Sequence, residues 1–212
     1  MNLIGVIGRM QLRETLFFKE VQMDKEISRI GFDLDGVIYP WHKIVLEAAK
    51  AEGLLEITTQ SGDLFAYPEE DGLIFKWSKF ARDRLVSTPE HYMHPLPRRS
   101  KDVLDKLSEH FELFYVTARS GDLEYPTFRW AEENNLPQRK NLFVSNGPKS
   151  DIIVKQGIQV FIEDRPTEVE ALAPFCKMIL LNQPWNSNYT KKNHTRVENL
   201  EDLLPLFGVD NG

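Results

Sequence analysis

A single cysteine, Cys176, stands among 212 residues. That excludes an intrachain disulfide and a thiolate zinc cluster. Placed before the apolar run Met178-Ile179-Leu180-Leu181, it reads as a buried structural thiol rather than a reactive one. No apolar segment approaches the ~20 residues that cross a bilayer. The opening Leu3-Ile4-Gly5-Val6-Ile7-Gly8 is too short for a secretory core and has no basic region before it. A soluble, cytoplasmic chain with no membrane partner is expected. No basic run exceeds two residues and the formal net charge is −6, so the footprint of a nucleic-acid polymer is missing, while a small anion still fits wherever local cations outweigh the global sign. His42, His91, His94, His110 and His194 lack metal-ligand spacing. What is present is an ordinary globular mixture, 42% hydrophobic and 27% charged with 12 Gly and 12 Pro. The length suffices for one core domain with a modest insert, or for two small domains.

Short apolar runs recur at 29–33, 112–117, 141–145, 158–163 and 177–181, and helical patterns lie between them at 122–135 and 166–173. That alternation implies an α/β fold with a Rossmann-like parallel sheet flanked by helices. A final helix is expected over 197–207. About 80 residues separate Asp35 from Thr117, far more than an ordinary two- to six-residue connection. Helical periodicity over 42–52 and 71–85 within that interval predicts a small helical cap over 40–98, with the core domain formed by 29–39 and 99–212. Residues 1–28 form an N-terminal extension to which no role is assigned.

The run Ile30-Gly31-Phe32-Asp33-Leu34-Asp35-Gly36 ends a strand-like segment with two carboxylates one residue apart. Strand alternation sends Asp33 and Asp35 to the same side and Leu34 into the core, and Gly36 lets the backbone turn sharply after them. One carboxylate can attack phosphorus while its neighbour manages the leaving-group proton, and the two can share a divalent cation. In an open parallel sheet, ligands gather beyond the carboxyl ends of the strands. Every other candidate falls at such an end. The second strand delivers Thr117-Ala118-Arg119, offering a hydroxyl and backbone amides to phosphate oxygens. Lys149 opens a helix after Asn146-Gly147-Pro148, and the fourth strand delivers the acidic pair Glu163-Asp164 followed by Arg165.

These four motifs, in this order, resemble the haloacid dehalogenase superfamily. The resemblance implies Asp33 as the nucleophile that forms an aspartyl-phosphate and Asp35 as general acid and then base. It implies Thr117, Ala118, Lys149 and Arg119 as phosphate-binding residues. Mg²⁺ would be held by Asp33, the backbone carbonyl of Asp35, and Asp164, with Glu163 and Arg165 left open. The second aspartate points to phosphatases rather than dehalogenases. The long insert after the first motif is similar to the superfamily's helical cap type, since only 32 positions separate Thr117 from Lys149. The stretches 162–168 and 180–186, the latter reading Leu-Leu-Asn-Gln-Pro-Trp-Asn, resemble the 5′(3′)-deoxyribonucleotidase branch. A small phosphorylated substrate of the nucleoside 5′-monophosphate kind is therefore expected, with Trp41, Phe75 and Trp77 as rings for stacking on a base. A phosphomutase or a non-catalytic binding relative are the alternatives. Monomer and homodimer both stay open.

Overall fold

The computed structural model describes residues 27–67, 72–73, 84–85 and 87–210. Six strands form one sheet: β1 (Arg29–Phe32), β2 (Glu112–Thr117), β3 (Leu142–Val144), β4 (Val160–Glu163), β5 (Lys177–Leu181) and β6 (Thr195–Val197). Their spatial order is β3-β2-β1-β4-β5-β6, and every neighbouring pair is parallel. The described helices are α1 (Trp41–Ala51), α2 (Ser61–Leu64), α3 (Arg98–Ser108), α4 (Glu124–Glu133), α5 (Lys149–Gln156), α6 (Pro166–Leu172) and α7 (Leu203–Leu206). None of them is long and apolar enough to cross a membrane.

The central residues of β1, β2, β4 and β5 are apolar because helices cover both faces of the sheet, and the charged residues of these strands stand at their ends. Period-two alternation divides their side chains between two cores. Ile30, Phe32, Leu113, Tyr115, Val160, Ile162, Ile179 and Leu181 pack with Val103, Leu104 and Leu107 of α3, Trp130 of α4, and Leu203 and Leu204 of α7. The intervening residues Phe114, Val116, Phe161, Met178 and Leu180 pack with Ile153 of α5 and Val169 and Leu172 of α6. Cys176 borders this second core, and burial pushes its thiol up to about 12.

Between β1 and β2, the side chains Val45, Leu46, Ala49, Leu64 and Leu85 form a third, separate cluster. Most of the helix expected over 71–85 lies outside the described residues, as do Phe75 and Trp77 and nearly all of the N-terminal extension.

Two expectations need correction. The helix foreseen over 197–207 begins later, because Thr195–Val197 is a sixth strand; a 3₁₀ turn over Leu200–Asp202 and α7 follow it. A three-residue edge strand is too short to show alternation. What holds it is tertiary: the guanidinium of Arg196 donates to Asn182 Oδ1, to Asn186 and to the Tyr189 carbonyl. The first strand also ends at Phe32, one residue earlier than expected.

Candidate active site

Four segments distant in sequence meet beyond the carboxyl ends of β1, β2 and β4. There the chain, having built outward from β1 to β3, crosses to the other side of β1, and ligand sites of open α/β sheets lie at such reversals. Asp33 follows β1 directly, and its N–H donates to the Ile162 carbonyl at 2.9 Å, so the ladder with β4 fixes its place.

Strand alternation is not what brings Asp35 alongside it. The chain turns instead: the N–H groups of Val37, Ile38 and Tyr39 converge on the Leu34 carbonyl, and Gly36 N–H donates to the Tyr39 carbonyl at 2.8 Å. Gly36 makes this turn at φ +87°, a region costly for residues with a Cβ. Leu34 is buried in the first core, as expected. Asp33 and Asp35 both line a cavity of about 240 Å³, together with Thr117, Ala118, Arg119, Lys149, Arg165, Trp41 and His42. Glu163 and Asp164, fully buried, lie close to it.

Lys149 is the first residue of α5 and stands between two acids. Its Nζ is 2.9 Å from Asp33 Oδ1 and 2.6 Å from Glu163 Oε1. Burial works against the ammonium, but Asp33 and Glu163 outweigh it and raise its pKa. Both oxygens of Glu163 are engaged: Oε1 by Lys149, Oε2 by the N–H groups of Asp164 at 2.7 Å and Arg165 at 3.0 Å. Burial disfavours its charge too, yet the lysine and these donors hold it below the usual carboxylate range. Glu163 is thus an anchor for Lys149 and for the turn after β4.

The other two acids go the opposite way. Burial, reinforced by Glu163 and Asp35 and opposed by Lys149, pushes Asp33 up to about 7. Burial, then Glu163 and Asp33, raises Asp164 well above its ordinary value.

A divalent cation fits this arrangement. Carboxylate oxygens of Asp33, Glu163 and Asp164 lie within 4.8 Å of one another, with one ammonium against three acids. Asp164 Oδ1 is buried with no hydrogen-bond partner, an acceptor facing no donor. An all-oxygen donor set suits a hard ion such as Mg²⁺.

Two residues after β5 hold Asp164 in place. Trp185 Nε1 donates to Asp164 Oδ2 at 2.9 Å, and Asn186 Nδ2 bridges the Asp164 and Leu181 carbonyls at 2.7 and 2.8 Å. The stretch 180–186 drew attention in the sequence for its resemblance, but nothing in its local pattern tied this indole and amide to the acid at 164. His42 joins them: its ring stacks on Trp185 at 4.0 Å, and burial and Arg165 lower its pKa to about 3. Its 3.8 Å approach to Asp164 Oδ2 is therefore the contact of a neutral imidazole.

Arg119 lines the same cavity and pairs there with Asp35: Nε and Nη2 form a two-point pair with the carboxylate at 2.9 and 2.6 Å.

The comparisons with known proteins follow the same lines. No protein-family model matches the chain. The haloacid dehalogenase-like family hydrolase SP0104 from Streptococcus pneumoniae superposes with a TM-score of 0.59 at 17% identity, over 86% of this chain and 99% of that one. A HAD-hydrolase from Bacillus subtilis, YfnB, in a structure with bound magnesium, gives 0.58 at 13% identity over 87% and 100%. The chain has the haloacid dehalogenase-like fold. Within that fold, Asp33, Thr117, Lys149 and Glu163-Asp164 occupy the ends of β1 and β2, the start of α5 and the end of β4. Two curated relatives carry the names "Putative nucleotidase BH1399" (Halalkalibacterium halodurans, 33% identical over 97 residues, 45% of this chain) and "Putative nucleotidase YqfW" (Bacillus subtilis, 29% over 106 residues, 49% of this chain). The matched stretch spans about half the length of each, 50% and 55%.

Proposed function

We propose that this protein is a Mg²⁺-dependent phosphomonoester hydrolase that works through an aspartyl-phosphate on a small organic phosphate, a nucleoside 5′-monophosphate in particular. One observation carries the reading: the 2.9 Å contact of Asp33 with the buried Lys149 ammonium, in a cavity that Asp35, Thr117 and Ala118 also line.

A carboxylate oxygen of Asp33 bonds to phosphorus as the bond from phosphorus to the ester oxygen breaks, and Asp35 gives its proton to that oxygen so that an alcohol leaves. Asp35, now ionised, takes a proton from water whose oxygen attacks phosphorus and displaces Asp33. Thr117 and the backbone of Ala118 hold phosphoryl oxygens, and Lys149 offsets the negative charge gathered at the reacting centre. Mg²⁺ bound by Asp33, Asp164 and the backbone carbonyl of Asp35 would supply the remaining positive charge and favour ionised Asp33.

The nucleotide is favoured by the names of the two curated relatives and by the Trp41 indole on the cavity wall, near-parallel to Tyr92 with ring centres 6.1 Å apart. Residues 40–98 act in this reading as the cap that encloses the substrate.

The test is phosphate release from a panel of nucleoside monophosphates with Mg²⁺ or with EDTA. Activity should require the metal, and Asp33→Asn should reduce it to background while far-UV circular dichroism stays unchanged. Turnover by Asp33→Asn equal to wild type would refute the mechanism.

A further inference from the structure

Arg119 is a cation with its side chain 1% exposed, and its surroundings are more elaborate than a salt bridge needs. Besides the two bonds to Asp35, Nη1 donates to Thr127 Oγ1 at 3.2 Å. The guanidinium carbon lies 4.5 Å from the ring centre of Tyr92, 5.1 Å from Tyr39 and 5.7 Å from Trp130. These rings come from three separate segments: the turn after the first motif, the return limb of the insert, and α4.

The rings are themselves tied together. Tyr39 hydroxyl donates to the His91 carbonyl at 2.7 Å and accepts the His94 N–H at 3.1 Å, while Trp130 Nε1 donates to the His94 carbonyl at 2.8 Å. A lysine would bring the charge but neither the planar stack nor the two-point fork. A residue that grips substrate phosphate needs donors turned to the open cavity, whereas this guanidinium is enclosed and presents its fork to Asp35. Asp35 is the more exposed partner of the two, its side chain 19% exposed.

We infer that Arg119 is a positioning residue for Asp35, fixing the orientation in which that carboxyl hands a proton to the leaving oxygen, and that it is not a phosphate ligand. The inference rests on the phosphomonoester hydrolase reading, in which Asp35 is the acid and then the base. In the acid step the bond from phosphorus to the ester oxygen breaks, the proton moves from Asp35 to that oxygen, and Asp33 keeps the phosphoryl group. One arm of the fork must therefore open when Asp35 is protonated, while the caged guanidinium stays in place to realign the carboxylate for the water step. A substrate whose leaving group is stable as an anion needs no such proton.

The experiment compares kcat/KM of wild type, Arg119→Lys and Asp35→Asn with Mg²⁺ on two substrates, adenosine 5′-monophosphate and 2,4-dinitrophenyl phosphate. General acid catalysis is worth ~10² or more. Arg119→Lys should lose about 100-fold on the nucleotide and less than about 5-fold on the dinitrophenyl ester, the same selective pattern as Asp35→Asn. An equal loss on both substrates, as a phosphate ligand or a purely structural part would give, overturns the inference. Asp33→Asn separates the two levels of the reasoning. If it abolishes both reactions and Arg119→Lys shows no selectivity, only the role of Arg119 fails; if both reactions survive it, the hydrolase reading itself fails. Should Arg119→Lys not fold by circular dichroism, Thr127→Val, which removes the Nη1 acceptor, must show a smaller loss with the same preference, and an unselective loss there overturns the inference equally.

Discussion

Replacing Gly36 with alanine should damage the stability of the protein and, in the proposed hydrolase, its hold on Mg²⁺. Gly36 has φ +87°, and holding a residue with a Cβ in that region costs about 1–2 kcal/mol. The second term is steric. A Cβ on Gly36 would lie 2.2 Å from Asp164 Oδ2, 2.6 Å from its Cγ and 2.7 Å from His42 Cε1. Asp164 has no room to withdraw: it is fully buried and bonded to Trp185 Nε1 at 2.9 Å. Moving it takes the acceptor from the buried Trp185 N–H, worth about 1–3 kcal/mol. The two terms give about 2–5 kcal/mol, or about 10 °C in melting temperature for a chain of this size.

Gly53 supplies a matched control. It too has positive φ, +69°, but a Cβ there meets nothing within 4 Å, so Gly53→Ala should cost only the backbone term, about 1–2 kcal/mol. Thermal unfolding by circular dichroism and Mg²⁺ titration by calorimetry measure both consequences. The reasoning is refuted if Gly36→Ala melts no lower than Gly53→Ala and binds Mg²⁺ like wild type.

Asp33 gives a pH dependence with a definite sign. Its carboxyl is raised from 3.8 to about 7, so between those values the folded metal-free chain keeps a proton that the unfolded chain has released, and stability falls as pH rises through that window. The full shift corresponds to ~4 kcal/mol at most. His42, lowered to about 3, contributes the opposite slope between pH 3 and 6.5, so the Asp33 part is read as a difference. In EDTA, the stability of Asp33→Asn relative to wild type by urea titration should rise steadily from pH 4 to pH 7, and a flat or falling difference would exclude the assignment. Glu163→Gln leaves the Lys149 ammonium without one of its two acids and sets an amide N–H₂ against either that ammonium or two backbone N–H groups. A loss of about 3–5 kcal/mol is expected in urea unfolding. A loss below about 1 kcal/mol would mean that Glu163 does not anchor Lys149.

Much of the frame was legible in the sequence because it is written in local pattern. Apolar runs separated by helical periodicity specify a parallel sheet, since strands covered on both faces need no polar residues. The motif residues fall at strand ends because only there does a carboxylate or hydroxyl leave the core and meet a ligand. Thr195–Val197 escaped notice because three residues carry no periodicity, and the bonds that hold Arg196 come from 182, 186 and 189.

The chain's own order of residues determined the fold class and the identities of Asp33, Asp35, Thr117, Lys149 and Asp164, because side-chain chemistry and strand period are properties of neighbours in sequence. Tertiary structure alone decided how those groups divide their work. Lys149 lies between Asp33 and Glu163, Trp185 and His42 brace Asp164, and Arg119 turns to Asp35 inside a cage of Tyr39, Tyr92 and Trp130. Whether a buried charge is satisfied, raised or lowered depends on what stands within a few ångströms of it in space, and those neighbours can lie 116 positions apart along the chain, as Asp33 and Lys149 do.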